Sequence, residues 1–372
     1  MTKEEFVAQL DRAVVVTPHL PVTSSILKQL SEQLKQGEPP WWNAVEHAWE
    51  KRAFHSWTDA WWLFLAAVHY EVLSDADSPL VRFFPSCGGT AEADPSRAFL
   101  EFLKAPSRSF YDRLRRGQRR TFGEVWAMLP KAYFDKREKY REAWGPLWFR
   151  PASLFFQQRK LPYYLVEVNA GAGLNLAADL VLPDSGVDTD LVAARIGLDP
   201  DPLQLEDINH VRWLTAGIPP EQLGMIGVLD DLIEKVRARQ KEDAAFIQLV
   251  SCKAEAAPAF IGKNVPATDP DVGLLVMTIG ATSSMGDAEY AKFGQGMLAT
   301  MSPWGDRALW VEFDKVREEI YSTTYQLRVH RVSGGKSANA VIARFDMGLG
   351  QIKGEQQIQL AKDFLTVAQP AR

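Results

Sequence analysis

Apolar residues recur at 57, 61, 65, 68 and 72, the spacing of one face of a helix. Two further helices are predicted ahead of it, roughly over 3–13 and 22–36, the second stopped by Gly37-Glu38-Pro39-Pro40. Ser78-Pro79 and Pro85-Ser86-Cys87-Gly88-Gly89 mark a loop. Asp94-Pro95 reads as a helix start, with an N-cap and a proline at the first position. Helical patterning continues near 97–118 and 121–143. From Leu161 the texture changes to short runs rich in Val, Ile and Leu, alternating with helical stretches. Tyr163–Val168, Ala193–Leu198, Phe246–Val250, Gly273–Ile279 and Arg307–Phe313 read as strands buried on both faces of a parallel sheet. Tyr325–Val332 and Asn339–Phe345 follow with no helix between them, joined by Ser333-Gly334-Gly335-Lys336-Ser337-Ala338. They predict an antiparallel hairpin that closes the sheet.

The change of texture divides the chain into an α-helical lobe over 1–150 and an α/β domain over 151–372, and 372 residues leave room for about two domains. Charge divides the same way. Residues 1–150 carry 21 Lys and Arg against 19 Asp and Glu, and the remainder carries 21 against 28. Nine of the twelve tryptophans lie in the first part. A net charge of −5 gives no general attraction to nucleic acid or anionic membrane. The two cysteines, Cys87 and Cys252, make neither a disulfide framework nor a CxxC metal pattern, so no metal site is expected. The opening Met1-Thr2-Lys3-Glu4-Glu5 lacks the positive charge of a signal peptide. The longest apolar run, Ala60 to Val68, is about half the ~18 residues a bilayer requires. The expectation is a soluble cytoplasmic protein.

The most informative segment runs Leu165-Val166-Glu167-Val168-Asn169-Ala170-Gly171-Ala172-Gly173-Leu174-Asn175-Leu176. A buried strand ends in an acid, passes through a small-residue bend with two glycines, and enters a predicted helix. Glycine permits positive φ and close approach, and a helix start presents unpaired N–H groups, so the bend can face a ligand. Some 26 residues beyond Gly173, Ile196-Gly197-Leu198-Asp199 ends the second strand in another acid. A carboxylate there can accept hydrogen bonds from both hydroxyls of a ribose.

Five βα units closed by a hairpin resemble a class I S-adenosylmethionine (SAM) dependent methyltransferase, a Rossmann-like seven-stranded sheet whose last strand is antiparallel. The resemblance implies SAM as cofactor and an acid-x-Gly-x-Gly-x-Gly bend, met here by Glu167, Asn169, Gly171 and Gly173, with Asn169 in place of the first glycine. Ala170 and Asn175 fall in the same bend, and Asp199 with Pro200 falls at the ribose position. Beyond the third strand the resemblance implies an acid for the adenine amino group. Lys253, followed by Ala254, stands there instead, and lysine accepts no hydrogen bond. Thr278, with Thr282, would line the methyl-transfer cleft at the end of the fourth strand. The resemblance does not identify the acceptor, whether a small molecule or a peptide.

More narrowly, the chain resembles a bacterial family of unknown function, DUF2332. The matching residues are Leu65–Tyr70, Ser78–Ser86, Arg119–Val125 with Leu129-Pro130, Val168–Leu176, and Gly197-Leu198-Asp199 followed by Val211-Arg212-Trp213-Leu214. Two segments depart from it. Arg120-Thr121-Phe122-Gly123-Glu124 replaces the family's Gln-Thr-Asn-Glu, and Phe345-Asp346-Met347-Gly348-Leu349-Gly350 replaces a His-Gly followed by aromatics.

Other motifs carry less. NAD is disfavoured because Leu176 stands where its fingerprint requires Gly or Ala. Arg113, Arg115, Arg116, Arg119 and Arg120 could grip a phosphate, but a solvated helix face explains them as well. Trp41, Trp42, Trp49, Trp57, Trp61 and Trp62 sit at helical spacing and are expected in a core. His55 and His69 have no visible partner and are expected to be structural. Gly335-Lys336-Ser337 is no P-loop, since His330 occupies the position of the required upstream glycine. No catalytic residue is assigned. A degenerate methyltransferase fold that binds a protein partner through the helical lobe is the competing expectation, with Asn169 and Lys253 in its favour. A further alternative is an enzyme using the same hollow for another SAM-type or nucleotide ligand.

Overall fold

The computed structural model describes residues 2–52, 57–116, 148–181, 187–282, 285–316, 324–346 and 351–353. His55, the stretch expected to be helical at 121–143, the Arg120–Glu124 segment and Met347–Gly350 lie outside them, as do the side chains of Trp49, Trp57, Arg115 and Arg116. The chain forms two compact units. One comprises Met1–Val125 with Gln204–Leu229, and the other Trp126–Leu203 with Asp230–Arg372. Among the described residues no helix is long and apolar enough to cross a membrane.

The first unit is built from α1 (Lys3–Val16), α2 (Pro21–Gln36), α3 (Pro40–Arg52), α4 (Trp57–Ser74), α5 (Ser96–Lys104) and α6 (Arg108–Arg116). Asp94 accepts from the Ser96 N–H at 3.0 Å and starts α5. The single helix expected near 97–118 is two. Pro106 lacks an N–H and biases Ala105 away from helical geometry, so the chain breaks there. The aromatic periodicity builds a core. Trp41 and Trp42 are 1% exposed, and Trp41 meets Phe64 edge-on at 5.0 Å while its indole N–H reaches Gln33 at 2.8 Å.

Gln204–Leu229 joins this unit through polar bonds that periodicity cannot register. Glu221 accepts from the N–H and hydroxyl of Thr23 in the first turn of α2, at 2.8 and 3.0 Å. Trp62 donates to the Gly217 carbonyl at 3.2 Å, and the Ser86 N–H to Pro220 at 3.1 Å. His69 is fully enclosed. Its Nδ1 lies 2.9 Å from the Ile218 carbonyl and its Nε2 2.8 Å from the Ser86 hydroxyl, which is the structural role expected for it. Gln204–Leu229 also carries α7's successor in the chain: α7 is Phe149–Phe155, in the second unit, and α8 is Ile208–Ala216.

The second unit is one sheet ordered β3-β2-β1-β4-β5-β6-β7-β8. The strands are β1 (Tyr163–Val168), β2 (Val192–Asp199), β3 (Gln248–Ser251), β4 (Gly273–Ile279), β5 (Ala308–Lys315), β6 (Thr324–Ser333), β7 (Lys336–Asp346) and β8 (Gln351–Lys353). The first five are mutually parallel, and β4 is buried at all seven positions, as its unbroken apolar run requires. The hairpin forms with a tighter turn than expected. Gly334 and Gly335 both take positive φ (56° and 72°), so two residues suffice and Ser337 and Ala338 join the ladder.

Three expectations are corrected. The sheet has eight described strands rather than seven. The reversed strand next to the parallel set is β6, and β7 and β8 continue the antiparallel series. After the glycine bend comes a 3₁₀ run, Leu174–Val181, rather than an α-helix. Arg195 of β2 holds that run in place, with a fork on Asp179 at 2.8 and 2.9 Å, a bond to the Leu176 carbonyl, and Phe246 beneath it at 4.9 Å.

Two stability effects follow. Burial lowers the pKa of His69 from 6.5 to about 4, against the pull of the Ile218 carbonyl. Its contribution, about 3 kcal/mol, is therefore complete above about pH 6.5 and is lost as pH falls through about 4. Urea unfolding across that range should show this slope, and His69→Gln should flatten it. Asp179→Ala strands a buried guanidinium and should cost about 3–5 kcal/mol by the same measurement.

Candidate functional site

β1 lies between β2 and β4, so the chain leaves it toward one side and returns on the other. In open α/β sheets ligands bind at the carboxyl edge of such a switch point. The residues that follow β1 depart from ordinary strand geometry at every second position. Asn169, Gly171 and Gly173 have φ of 68°, 59° and 76°. Asparagine is among the few side chains that tolerate this region, so Asn169 adopts the left-handed backbone that a glycine would otherwise supply.

The bend closes on the end of β2. The N–H groups of Asn169 and Ala170 reach the Leu198 carbonyl at 2.7 and 3.1 Å. Gly171 donates to Asp199 Oδ2 at 3.0 Å, and Asp201 donates to Oδ1 at 2.9 Å. Asp199 is wholly buried, as are Ala170 and Gly171. Close approach also needs Gly197, where a Cβ would lie 2.6 Å from Leu249 Cδ2 and 2.9 Å from Ala170 Cβ. Gly173 serves packing in the same way, its missing Cβ facing Ile247 and Leu249 at 3.0 and 3.1 Å.

Most of the residues singled out from the sequence meet here. Glu167, 1% exposed, accepts from Asn175 Nδ2 at 2.6 Å, and the Asn175 carbonyl accepts from the Trp148 indole at 2.8 Å. Pro200 accepts from the Ser251 hydroxyl at 3.0 Å, joining the ends of β2 and β3. Lys253 and Ala254 follow β3, two strands from β1, and the Lys253 side chain makes no capping bond there. Thr278 pairs with Val168 across β1 and β4, and its hydroxyl is taken by the Trp310 indole at 2.9 Å.

A second polar cluster lies at the carboxyl ends of β4 and β5, and of its members only Thr282 was singled out from the sequence. The Thr282 hydroxyl stands 2.5 Å from Asp314 and 3.2 Å from Glu312. Glu312 also accepts from Tyr290 at 2.9 Å and pairs with His330 of β6 at 3.1 Å. His330 stacks on Trp310 with centroids 4.0 Å apart. Burial alone would raise the Glu312 carboxyl, but the hydrogen bond and charge of His330, the Tyr290 hydroxyl and the Arg328 charge outweigh it and hold it below its ordinary value. The signal that could have exposed this cluster is Trp310-Val311-Glu312-Phe313-Asp314, acids at alternate positions of a strand otherwise read as buried.

Among the described residues no group of His, Cys, Asp and Glu could hold a metal ion. Residues 180–348 match the model of a family described as an uncharacterized protein conserved in bacteria (DUF2332). The match supports the family resemblance read from the sequence. It spans β2 through β7 and so includes Asp199 but not the bend. No curated protein and no solved structure matches the chain.

Asp199→Ala would leave the buried Gly171 N–H without its acceptor and free the Asp201 N–H, and should cost about 1–3 kcal/mol. Asp199→Asn keeps the shape and an acceptor oxygen, and should cost less in the same denaturation experiment.

Proposed function

We propose that the sheet unit binds S-adenosylmethionine at the bend and transfers its methyl group to a small-molecule or peptide acceptor. The observation that carries this reading is the 3.0 Å approach of Gly171 N–H to the Asp199 carboxylate at the switch point. It brings a ribose acceptor and a glycine-lined backbone to one spot. Asp199 now accepts two N–H bonds, and two ribose hydroxyls would present the same number of donors to the same oxygens. Asn169 to Asn175 would receive the amino-acid end, and the backbone around Lys253 and Ala254 the adenine, since the lysine ammonium cannot accept from it.

When bound, the cofactor supplies a sulfonium methyl that is open to in-line displacement. The protein's part is to position the acceptor and exclude water, which needs no nucleophile of its own. On this reading Thr278 and Thr282 would line the methyl-transfer cleft at the end of β4.

A second reading has one observation in its favour: Asp199 is 0% exposed, with both carboxylate oxygens engaged by the chain's own backbone. On that reading the unit is a methyltransferase-like scaffold that binds a protein partner rather than a methyl donor. Calorimetric titration with SAM and with S-adenosylhomocysteine separates the two. The methyltransferase reading expects saturable binding of both, at least about tenfold weaker in Asp199→Asn. Absence of binding by the wild-type protein would leave the scaffold.

A further inference from the structure

The basic run beginning at Arg113 has no part in the proposed donor site, yet the position of its first member is unusual. Arg113 sits on α6 with its guanidinium carbon 3.2 Å from the centroid of the Tyr70 ring and 5.0 Å from that of Trp213. The two rings meet edge-on at 6.0 Å. Three helices of the first unit therefore converge on one cation. Burial pushes the guanidinium below its usual value, against the pull of Tyr70 and Glu71.

The Tyr70 hydroxyl and the Glu71 charge stabilise this cation in part, and its Nε is left over. Among the described residues Arg113 makes no ion pair. Glu71 receives the Ser107 hydroxyl, and the Tyr70 hydroxyl donates to Asn209 at 3.1 Å. The Nε of Arg113 is covered and has no hydrogen-bond partner, and the same holds for the indole Nε1 of Trp213, a residue 2% exposed. A buried donor without an acceptor is destabilising. Phenylalanine at 213 would pack an apolar core without that cost, and an arginine needed only for its stem would turn its Nε outward.

We infer that Arg113 and Trp213 form a binding site for an oxoanion, a carboxylate or phosphate group carried by a small ligand. The Nε and Nη donors on one edge of a guanidinium match two oxygens of such a group, and the Trp213 N–H adds a third donor. The faces of Tyr70 and Trp213 flank the cation and shield it from water. Arg113 is of intermediate exposure, and the ligand approaches from its accessible side. This site is independent of methyl-donor binding in the other unit.

The test is a titration of ¹⁵N-labelled protein with sodium acetate and, separately, sodium phosphate, ionic strength being held constant with chloride. The Trp213 indole cross-peak, assigned by its loss in Trp213→Phe, should shift saturably with at least one anion. Arg113→Lys should weaken that response about tenfold or more, and Arg113→Met should abolish it, with the other indole peaks certifying the fold. Acetate acting alone identifies a carboxylate site, and phosphate acting alone a phosphoryl site. As a second readout, the anion should raise the melting temperature of wild type more than that of Trp213→Phe. A cross-peak that does not saturate with either anion, or that shifts equally in Arg113→Met, overturns the inference.

Discussion

The second unit depends on one buried carboxylate. Asp199 draws the Gly171 N–H from the bend after β1 and the Asp201 N–H from its own exit, and its carbonyl receives Cys252 from the end of β3 at 2.9 Å. Three strand ends are thereby tied to one residue. A charge this deep is tolerable only because backbone donors replace water around it. The same need for donors explains why the bend must turn sharply enough to aim its N–H groups at β2, which sets Asn169, Gly171 and Gly173 into left-handed geometry. It explains Gly197 as well, because any side chain there would hold the bend away.

A similar logic runs through the rest of the polar interior. Arg195 and Asp179 satisfy each other and pin the 3₁₀ run, so the segment after the bend is held by charge and shape rather than by helix propensity. Glu312 and His330 join β5 to β6, with Trp310 stacked on the imidazole and bonded to Thr278 of β4. Each pair penalises a slipped register, because a shift of one residue would leave a buried charge unpartnered. The first unit uses the same device with neutral groups, His69 linking Ser86 to the Ile218 carbonyl.

Much of this was legible in the sequence, and the parts that were not share a cause. The limits of β1 and β4 follow from the sequence alone, because continuous apolar runs bounded by turn residues leave few alternatives. The bend and Asp199 were legible as chemistry because glycine and a terminal acid have few other uses there. The break at Pro106 is marked in the sequence by the proline itself, although helical periodicity continues on both sides of it. The Glu312–His330 pairing was hidden, since residues eighteen apart become neighbours only once β6 lies against β5. Arg113 read as part of a charged run, and nothing local distinguishes an arginine facing solvent from one facing two aromatic rings.

By itself, then, the sequence determined where the parallel strands and the hairpin lie, where the chain can turn, and that a glycine bend and an acid follow two adjacent strands. Those are properties of local steric freedom and of apolar periodicity. Only the tertiary structure decided the partners of the buried polar groups, the membership of Gln204–Leu229 in the helical unit, and the capture of Asp199 by two backbone N–H groups. A hydrogen bond or an ion pair depends on where two distant atoms come to lie, and no pattern along the chain encodes that distance.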